Sequence, residues 1–394
     1  MLPNLTAWII LDKHVVNEID NPSVGERIYY YSDILRLIDV SCIHFWADGS
    51  RFINEPRYIK NEIKDLHEEF SRRNPDFALI YSWHDTSPVF EWLRDKKIPI
   101  INVADSDGRI GLKYAFSKNL KWRLRGQKSY FKKLGAIKDV GFKWIFNRDT
   151  EIKKIIRNAE ISDVVTFGSP GCSKVFNQIL SFEGERELEK KVFWLPFPTS
   201  EIYYSDSLVH KKRQIIVVHN WDSNTGINKN PGIVQKVIKN TANVCLQFRF
   251  LIIGKGSGRL FDKALGSLKN IELIEHLDKT ALVQVMKESM ILFTASDYEG
   301  SPLVVNEILG CGGTFVTGPL PSTVGLLEMK QGSGTVSNKF DFRSLTSALN
   351  TEIEMWDKGA RNPNDIAGFW KQHFSNVGIA NKFKTIIEKY IINI

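Results

Sequence analysis

The chain has 394 residues, of which 43% are apolar and 25% charged, so it is too hydrophobic to be disordered and too long for a single ordinary core. No apolar stretch approaches the ~20 residues of a membrane-spanning helix, and four cysteines without paired spacing argue against a zinc site and a disulfide framework. The net charge of +8 is unevenly spread, and a concentrated basic patch indicates an anionic partner, while the cysteine usage fits a reducing cytoplasm.

Strand-length apolar runs alternate with helix-length amphipathic segments through the first half of the chain. The order is a strand over Trp8 to Leu11, a helix over Tyr29 to Ile38, and then the strands ALIYS, IPIINVA and DVVTFG. This alternation is typical of a parallel α/β sheet with helices on both faces. We therefore predict a first domain over residues 1–196.

A concentrated basic stretch lies within this first half. Lys113 to Arg157 holds 14 Lys and Arg residues against 3 Asp and Glu residues, a local charge of +11. The interleaved aromatic residues are Trp122, Tyr130, Phe131, Phe142 and Trp144. Such a stretch suits an anionic membrane surface, with aromatic rings at headgroup depth, or a nucleic-acid backbone with stacked bases. A pair of solvated helices is the third interpretation.

A second α/β series follows the segment WLPFPTSEIYYSDSLVHKKR, which lacks periodicity and is interpreted as an interdomain linker. Its predicted strands are IIVVH, FRFLIIG, IELIE, MILFTA and GTFVTG, with a candidate helix between successive strands. Three helical patterns follow, over residues 342–356, 365–374 and 377–392. We predict a second domain over residues 213–375 and a separate last helix within residues 376–394.

The most informative stretch is MILFTASDYEGSPLVVNEILGCGG, residues 290–313. A buried strand runs into a short loop, and Ser301 and Pro302 then read as the N-cap and the first position of a helix. The amides of Leu303 and Val304 have no intrahelical acceptor in such a helix, and the helix dipole adds partial positive charge. This helix start is therefore a candidate diphosphate site.

Two glutamates bracket this candidate anion site. Glu299 precedes the helix, and Glu307 lies about one and a half turns into it. One carboxylate could reach a sugar and the other a ribose. The competing interpretation is a pair of solvated charges, but the strand, loop and capped helix around them favour a functional site.

EGSPLVVNEILGCGG resembles the E-x7-E signature of retaining GT-B glycosyltransferases of family 4. FLIIGKGSG resembles the strand and glycine turn of that family, and the residues leading to the signature are also similar. The resemblance implies an α/β fold of two Rossmann-like domains that face each other across a cleft. It also implies that the last helix crosses back to the first domain.

The resemblance assigns donor-phosphate binding to Lys229, within HNWDSNTGINKNP. The family's arginine is missing here, and Asn220 stands roughly in its place. The second cation is then expected from Lys255, beside Gly254 in the glycine turn, or from Arg249. Lys255 is favoured because of its place in that turn.

The first half resembles the family more weakly. PSVGERIYYYSDILRL is similar to the family's G-G-x-E-R segment, with Gly25 in place of the glycine pair. IPIINVADSDG resembles the strand whose end presents a histidine to the reacting sugar, and Asp105 stands at that position. His84 and Asp85, at the end of ALIYSWHD, are alternative catalytic candidates.

The resemblance implies transfer of a hexose-type sugar from a nucleoside diphosphate to an acceptor hydroxyl, with retention at the anomeric carbon. A nucleoside-diphosphate sugar is then the donor substrate, and neither a cofactor nor a metal ion is expected. The basic stretch favours a lipid-linked or cell-surface glycan acceptor and a cytoplasmic protein, with peripheral attachment to the inner membrane face as an option. The alternatives are a nucleic-acid-modifying glycosyltransferase and an inactive sugar-nucleotide or carbohydrate-binding protein of the same fold.

Overall fold

The structure is a computed structural model that describes residues 4–12, 31–48, 51–54, 74–81, 87–104, 106–109, six positions between 113 and 124, and residues 129–204, 209–222 and 228–392. The chain divides into two compact units. The first comprises residues 1–121, 129–198 and 376–394, and the second comprises residues 122–128 and 199–375.

The first unit is built on a seven-stranded sheet of order β3-β2-β1-β4-β5-β6-β7. Its strands are β1 (Leu5–Asp12), β2 (Val40–Asp48), β3 (Arg51–Asn54), β4 (Phe77–Tyr81), β5 (Ile100–Ala104), β6 (Val164–Phe167) and β7 (Val192–Trp194). The pairings are parallel except that of β3 with β2. The predicted parallel α/β sheet is confirmed, and β2, β3 and β7 are additions that the apolar runs did not predict.

Helices α1 (Ser87–Asp95), α2 (Tyr130–Ile161) and α3 (Pro170–Glu183) accompany this sheet. The central strands are apolar because they are covered on both faces, as in other parallel sheets. Trp8 of β1 is fully buried and stacks on Trp92 of α1, with ring centroids 6.3 Å apart. The C-terminal half of α2 packs Ile152 and Ile156 into a second cluster with Phe167 and Phe176.

The second unit is built on a six-stranded, wholly parallel sheet of order β10-β9-β8-β11-β12-β13. Its strands are β8 (Lys212–Val218), β9 (Arg249–Ile253), β10 (Ile271–Ile274), β11 (Ser289–Phe293), β12 (Thr314–Thr317) and β13 (Gly334–Val336). Its helices are α4 (Pro231–Val244), α5 (Ser257–Leu265), α6 (Lys279–Glu288), α7 (Leu303–Gly310), α8 (Pro321–Met329), α9 (Phe342–Asp357) and α10 (Pro363–Phe374). All five strands predicted for this half are present, and β13 is an addition.

Each sheet has one topological switch point. The first strand of each unit, β1 or β8, is followed by strands on one side before the chain returns to its other side with β4 or β11. Ligands of open α/β sheets bind outside the carboxyl ends of the strands at such points. The loops after β8 and β11 are therefore where the second unit is expected to hold its ligand.

The segment interpreted as an interdomain linker packs, over residues 199–204, as part of the second unit. It forms a short 3-10 helix, Glu201–Tyr204, and the Tyr204 side chain is 2% exposed. The Tyr204 hydroxyl lies 2.5 Å from that of Thr199, and its ring covers Gly310 at the end of α7. A Cβ on Gly310 would lie 2.4 Å from this ring, so the small residues after the E-x7-E motif are required by packing.

The last helix, α11 (Asn376–Tyr390), belongs to the first unit, as the resemblance implies. Phe383 meets the ring of Tyr31 edge-on at 5.9 Å, and Tyr390 lies 5.0 Å from Phe193. The Lys382 ammonium lies 3.9 Å from the centre of the Trp194 ring. The expected return of the last helix to the first unit is confirmed. Across the described residues, no helix combines the length and the apolar character needed to cross a bilayer.

Candidate active site

Lys229 and Glu299 meet at the switch point of the second sheet. Lys229 lies in the loop after β8, Glu299 lies in the loop after β11, and the two are 70 residues apart in sequence. The Lys229 ammonium donates a hydrogen bond to Oε1 of Glu299, and the two side chains are 21% and 20% exposed. A partly desolvated ion pair of this kind interacts more strongly than a surface pair. The sequence predicted Lys229 and Glu299 as separate site residues, and the structure shows that their side chains are in contact.

Hydrogen bonds hold these two loops together. Asn230 has a left-handed backbone conformation, with φ of 48°, and its Nδ2 donates to the carbonyl oxygen of Ala295 at 2.7 Å. The amide of Asp297 donates to the carbonyl oxygen of Asn228 at 3.1 Å. Lys229 and Glu299 are therefore flanked by bonds that join their loops. Sequence reasoning missed Asn230, although an Asn-Pro pair at a helix start is a turn signal.

A buried polar chain joins the two loops that carry the ion pair. Nε2 of His219 is 3.2 Å from the hydroxyl of Thr294, and that hydroxyl is 3.1 Å from the Ser296 hydroxyl. Burial, together with the positive charge of Lys229, holds the pKa of His219 well below its usual range. His219 is therefore neutral at physiological pH and acts as a hydrogen-bonding spacer between the loops after β8 and β11. This histidine was not among the site residues predicted from the sequence.

This neutral histidine predicts a specific pH dependence of stability. Below a pH of about 6.5 the unfolded chain binds a proton at His219 that the folded chain does not, so the unfolding free energy falls by up to about 1.4 kcal/mol per pH unit. His219→Gln removes this contribution and places a side-chain amide, which can still form a hydrogen bond, beside Thr294. We expect denaturant unfolding between pH 7 and pH 5 to show a smaller acid loss in the variant. Parallel pH profiles of the two proteins would contradict this.

The helix that follows Glu299 begins one residue later than predicted. α7 starts at Leu303, with Pro302 at the N-cap position and no side-chain capping bond. Ser301 is therefore not the N-cap. Its carbonyl oxygen accepts from the Leu303 amide at 2.9 Å, while the Pro302 carbonyl accepts from Val305 at 2.8 Å. Among the described contacts the Val304 amide has no backbone acceptor, so it is the amide of this turn that can bind an anion.

One face of α7 remains open. Leu303, Val304 and Glu307 are half-buried, whereas Val305, Asn306 and Ile308 to Gly310 are buried. The three half-buried residues share one side of the helix because they are spaced at i, i+1 and i+4. The three residues of α7 that were predicted to bind the donor therefore lie on one face of the helix, at its N-terminal end. Both polar side-chain atoms of the buried Asn306 lack a hydrogen-bond partner, a feature that sequence reasoning missed.

The glycine turn between β9 and α5 is dictated by close packing. Gly254 has φ of 128°, and a Cβ there would lie 1.7 Å from the His219 carbonyl oxygen. The amides of Gly256 and Gly258 both donate to the Glu275 carboxylate, at 2.7 Å each. The start of α5 thus already carries an anionic cap from the residue after β10. Phosphate binding by Gly254 stays a prediction.

Lys255, Asn220 and Arg249 are the residues that bear on the predicted second cation. Lys255 is exposed in the glycine turn, and its carbonyl oxygen accepts from the Trp221 amide at 2.9 Å. Asn220 is exposed, and its Oδ1 accepts from the Asp222 amide at 3.2 Å. Arg249 begins β9, at the amino end of the strand, and pairs with Glu272. The switch-point loops follow the carboxyl ends of the strands, so Arg249 lies at the opposite edge of the sheet from the candidate site. Phosphate binding by Lys255 stays a prediction.

The first-unit candidates Gly25, His84, Asp85 and Asp105 lie outside the described residues. The loop directly after Asp105 is described and is tightly built. Asp107 is fully buried and accepts from the Arg109 amide at 3.1 Å and from its Nε at 2.9 Å. Gly108 has φ of 82°, and a Cβ there would lie 2.3 Å from the Cys172 carbonyl oxygen.

Similarity to known proteins is structural. No family model matches the sequence, and no curated protein matches it. The chain is similar over 100% of both lengths to a glycosyltransferase of Rickettsia africae ESF-5, with a TM-score of 0.63 and 11% identity. It is also similar to Anabaena Alr3699/HepE in complex with UDP, over 97% of this chain and 99% of that chain, with a TM-score of 0.59 and 12% identity. The chain has the GT-B fold.

A third similar structure is the sucrose-phosphate synthase of Thermosynechococcus elongatus. The match covers 97% of this chain and 98% of that chain, with a TM-score of 0.59 and 13% identity. At such low identities a shared GT-B fold says where a ligand can bind but not which reaction follows. The chemistry that this site can support therefore depends on Lys229, Glu299 and the start of α7.

Proposed function

We propose that this chain is a retaining glycosyltransferase that moves a hexose-type sugar from a nucleoside-diphosphate sugar to an acceptor hydroxyl. The observation that carries this proposal is the contact of Lys229 with Glu299 at the switch point of the second sheet, directly before α7. A cation, a carboxylate and the start of a helix thus lie at one edge of this sheet. This combination suits a ligand that has both a phosphate and hydroxyl groups.

Lys229 and the Val304 amide are assigned to the diphosphate. During transfer the bond from the anomeric carbon to the phosphate oxygen breaks, and negative charge develops on the leaving diphosphate. A fixed ammonium and a helix start stabilise that charge without rearrangement. We propose that these groups make a metal ion unnecessary, so turnover should survive treatment with a chelator.

Glu299 is assigned to the sugar. When the diphosphate arrives, Lys229 exchanges its carboxylate partner for a phosphate oxygen, and Glu299 becomes available to accept from sugar hydroxyls. Its negative charge also favours an oxocarbenium-like transition state. A new bond forms between the anomeric carbon and the acceptor oxygen on the face that the phosphate leaves. The acceptor proton moves to the departing phosphate oxygen, and the nucleoside diphosphate is released.

The acceptor chemistry is assigned to the first unit. Asp105 is proposed to assist removal of the acceptor proton, with His84 as the alternative. A lipid-linked or cell-surface glycan precursor is the acceptor class that the basic stretch of residues 113–157 supports, since cations there would meet anionic headgroups. Among the similar structures, Alr3699/HepE binds UDP, which supports UDP as the nucleotide part of the donor.

A thermal-shift screen of the full chain tests the proposal. We expect one nucleoside diphosphate among UDP, GDP, ADP and dTDP, and its sugar conjugates, to raise Tm, because ligand at about 100 times its Kd stabilises by about 2.7 kcal/mol. NMR of the transferred sugar then reports whether the anomeric configuration is retained. Absence of a Tm shift with every nucleotide, or an inverted product, would overturn the corresponding part of the proposal.

Glu307→Ala is expected to weaken nucleoside-diphosphate binding about tenfold to a hundredfold, with turnover at saturating donor changed little. The reason is the loss of charge-assisted hydrogen bonds to the ribose, about 1.5–3 kcal/mol. Isothermal titration with the bound nucleotide and with its 2′,3′-dideoxy analogue checks the assignment. The analogue should bind the wild type and the variant equally. A variant that still prefers the ribose form would remove Glu307 from this role.

A further inference from the structure

An exposed apolar face covers the first half of α2, in the first unit. Seven large apolar side chains between residues 130 and 146 are at least 44% exposed: Tyr130, Phe131, Leu134, Ile137, Phe142, Ile145 and Phe146. The exposed fraction reaches 83% at Phe131 and 65% at Phe146. Residues 131–135 are all exposed, so the start of this helix projects from the unit. Contiguous exposed apolar surface of this kind usually marks an interaction site.

These side chains form one continuous face. At about 100° per residue they span roughly half of the helix circumference, and the centre of that half lies opposite the buried Ala136 and Val140. The second half of the same helix is different. There Ile152, Ile155 and Ile156 are buried, while the exposed residues of 147–160 are all polar or charged. Packing against the unit therefore explains the apolar residues of the second half but not those of the first.

Basic residues lie in and around the apolar face. Lys132, Lys133 and Lys138 are exposed, and Lys143 is half-exposed, against the single acidic residue Asp139 in residues 130–146. Lys138 lies near the centre of the apolar face, one turn after Leu134 and one turn before Phe142. Lysine is depleted in protein–protein interface cores, whereas its long stem can lie along an apolar layer with the ammonium at a phosphate. This arrangement fits a lipid surface better than another protein.

We propose that the first half of α2 lies in the headgroup region of an anionic bilayer, with Phe131, Phe142 and Phe146 inserted and the lysines at lipid phosphates. Amphipathic helices bind membranes in this way by combining apolar burial with attraction to anionic lipid. The surface belongs to one described element, so the inference is independent of the glycosyl-transfer proposal. It narrows the membrane-binding surface predicted for residues 113–157 to a single helix face.

Vesicle co-sedimentation of the full chain tests this inference. We expect pelleting with vesicles of phosphatidylcholine and phosphatidylglycerol, and little pelleting with phosphatidylcholine alone. The triple variant Phe131→Ser, Phe142→Ser and Phe146→Ser should lower partitioning into the anionic vesicles at least tenfold. These side chains are mostly exposed, so the fold should survive. The matched control is Val244→Ser with Leu246→Ser, two residues of the second unit that are 76% and 73% exposed.

Two double variants with the same change in net charge distinguish an effect of this helix face from an effect of net charge. Lys132→Glu with Lys138→Glu should lower partitioning at least tenfold, while Lys153→Glu with Lys154→Glu, on the polar half of the same helix, should have a much smaller effect. Equal losses in both pairs would overturn the assignment to this face. Two other results would also overturn it: a dimer in sedimentation velocity that the serine variant abolishes, and a DNA or RNA gel shift without vesicle binding.

Discussion

Glu299→Gln is expected to lower turnover about tenfold to a hundredfold while nucleoside-diphosphate binding stays at the wild-type level or rises. Glutamine keeps the shape of the side chain but loses the charge, which removes a charge-assisted hydrogen bond worth about 1.5–3 kcal/mol to the transition state. It also frees Lys229 from its present partner, so a diphosphate no longer competes with a carboxylate for the ammonium. Steady-state kinetics and titration with the nucleoside diphosphate measure the two effects separately.

The matched control for this variant is Glu354→Gln. Glu354 also pairs with a lysine, Lys358 at 3.2 Å, but the pair is exposed at the end of α9. The control should leave both turnover and nucleotide binding unchanged, because exposed ion pairs contribute little. Wild-type turnover in Glu299→Gln would remove this carboxylate from the reaction.

Lys229→Met is expected to weaken nucleoside-diphosphate binding about tenfold to a hundredfold. The variant loses the cation assigned to the phosphates and also leaves the charge of Glu299 uncompensated beside the diphosphate. The double variant Lys229→Met with Glu299→Gln should therefore bind the nucleotide better than Lys229→Met alone. A double-mutant cycle by isothermal titration reports this coupling, and Lys358→Met is the matched single control.

Additive effects in this cycle would show that the two side chains do not act on the same ligand. Normal binding by Lys229→Met would place the diphosphate elsewhere in the second unit. The exposed Lys255 in the glycine turn is then the next cation to replace. Either result would leave the GT-B fold unaffected, because the structural similarity does not depend on the site.

Apolar runs predicted every central strand of the second sheet because a parallel strand covered on both faces must be apolar throughout. The same reasoning missed β2, whose run is interrupted by Ser41 and His44, and β7 and β13, which are three residues each. Such short strands are stabilised by their neighbours in the sheet. Gly334 of β13, for example, is packed so tightly that a Cβ would lie 2.2 Å from the Phe315 carbonyl oxygen.

The helix start after Glu299 shows where local signals compete. A serine followed by proline predicts an N-cap at Ser301, but Pro302 itself takes that position with ψ of 78°. Of the two amides predicted to bind an anion, only that of Val304 lacks a backbone acceptor among the described contacts, since the Leu303 amide is already bonded to Ser301. Similarly, the aperiodic segment before β8 gave no sign that Tyr204 would be buried against α7.

The sequence alone determined the two α/β halves and the positions of Lys229, Glu299 and Glu307 along the chain, because strand and helix periods and helix-capping patterns are local properties. Only the tertiary structure decided that Lys229 pairs with Glu299, that the buried His219 is neutral and that Glu275 caps α5. These contacts join residues up to 75 positions apart. Strand order brings such residues together, and strand order depends on the packing of the whole sheet.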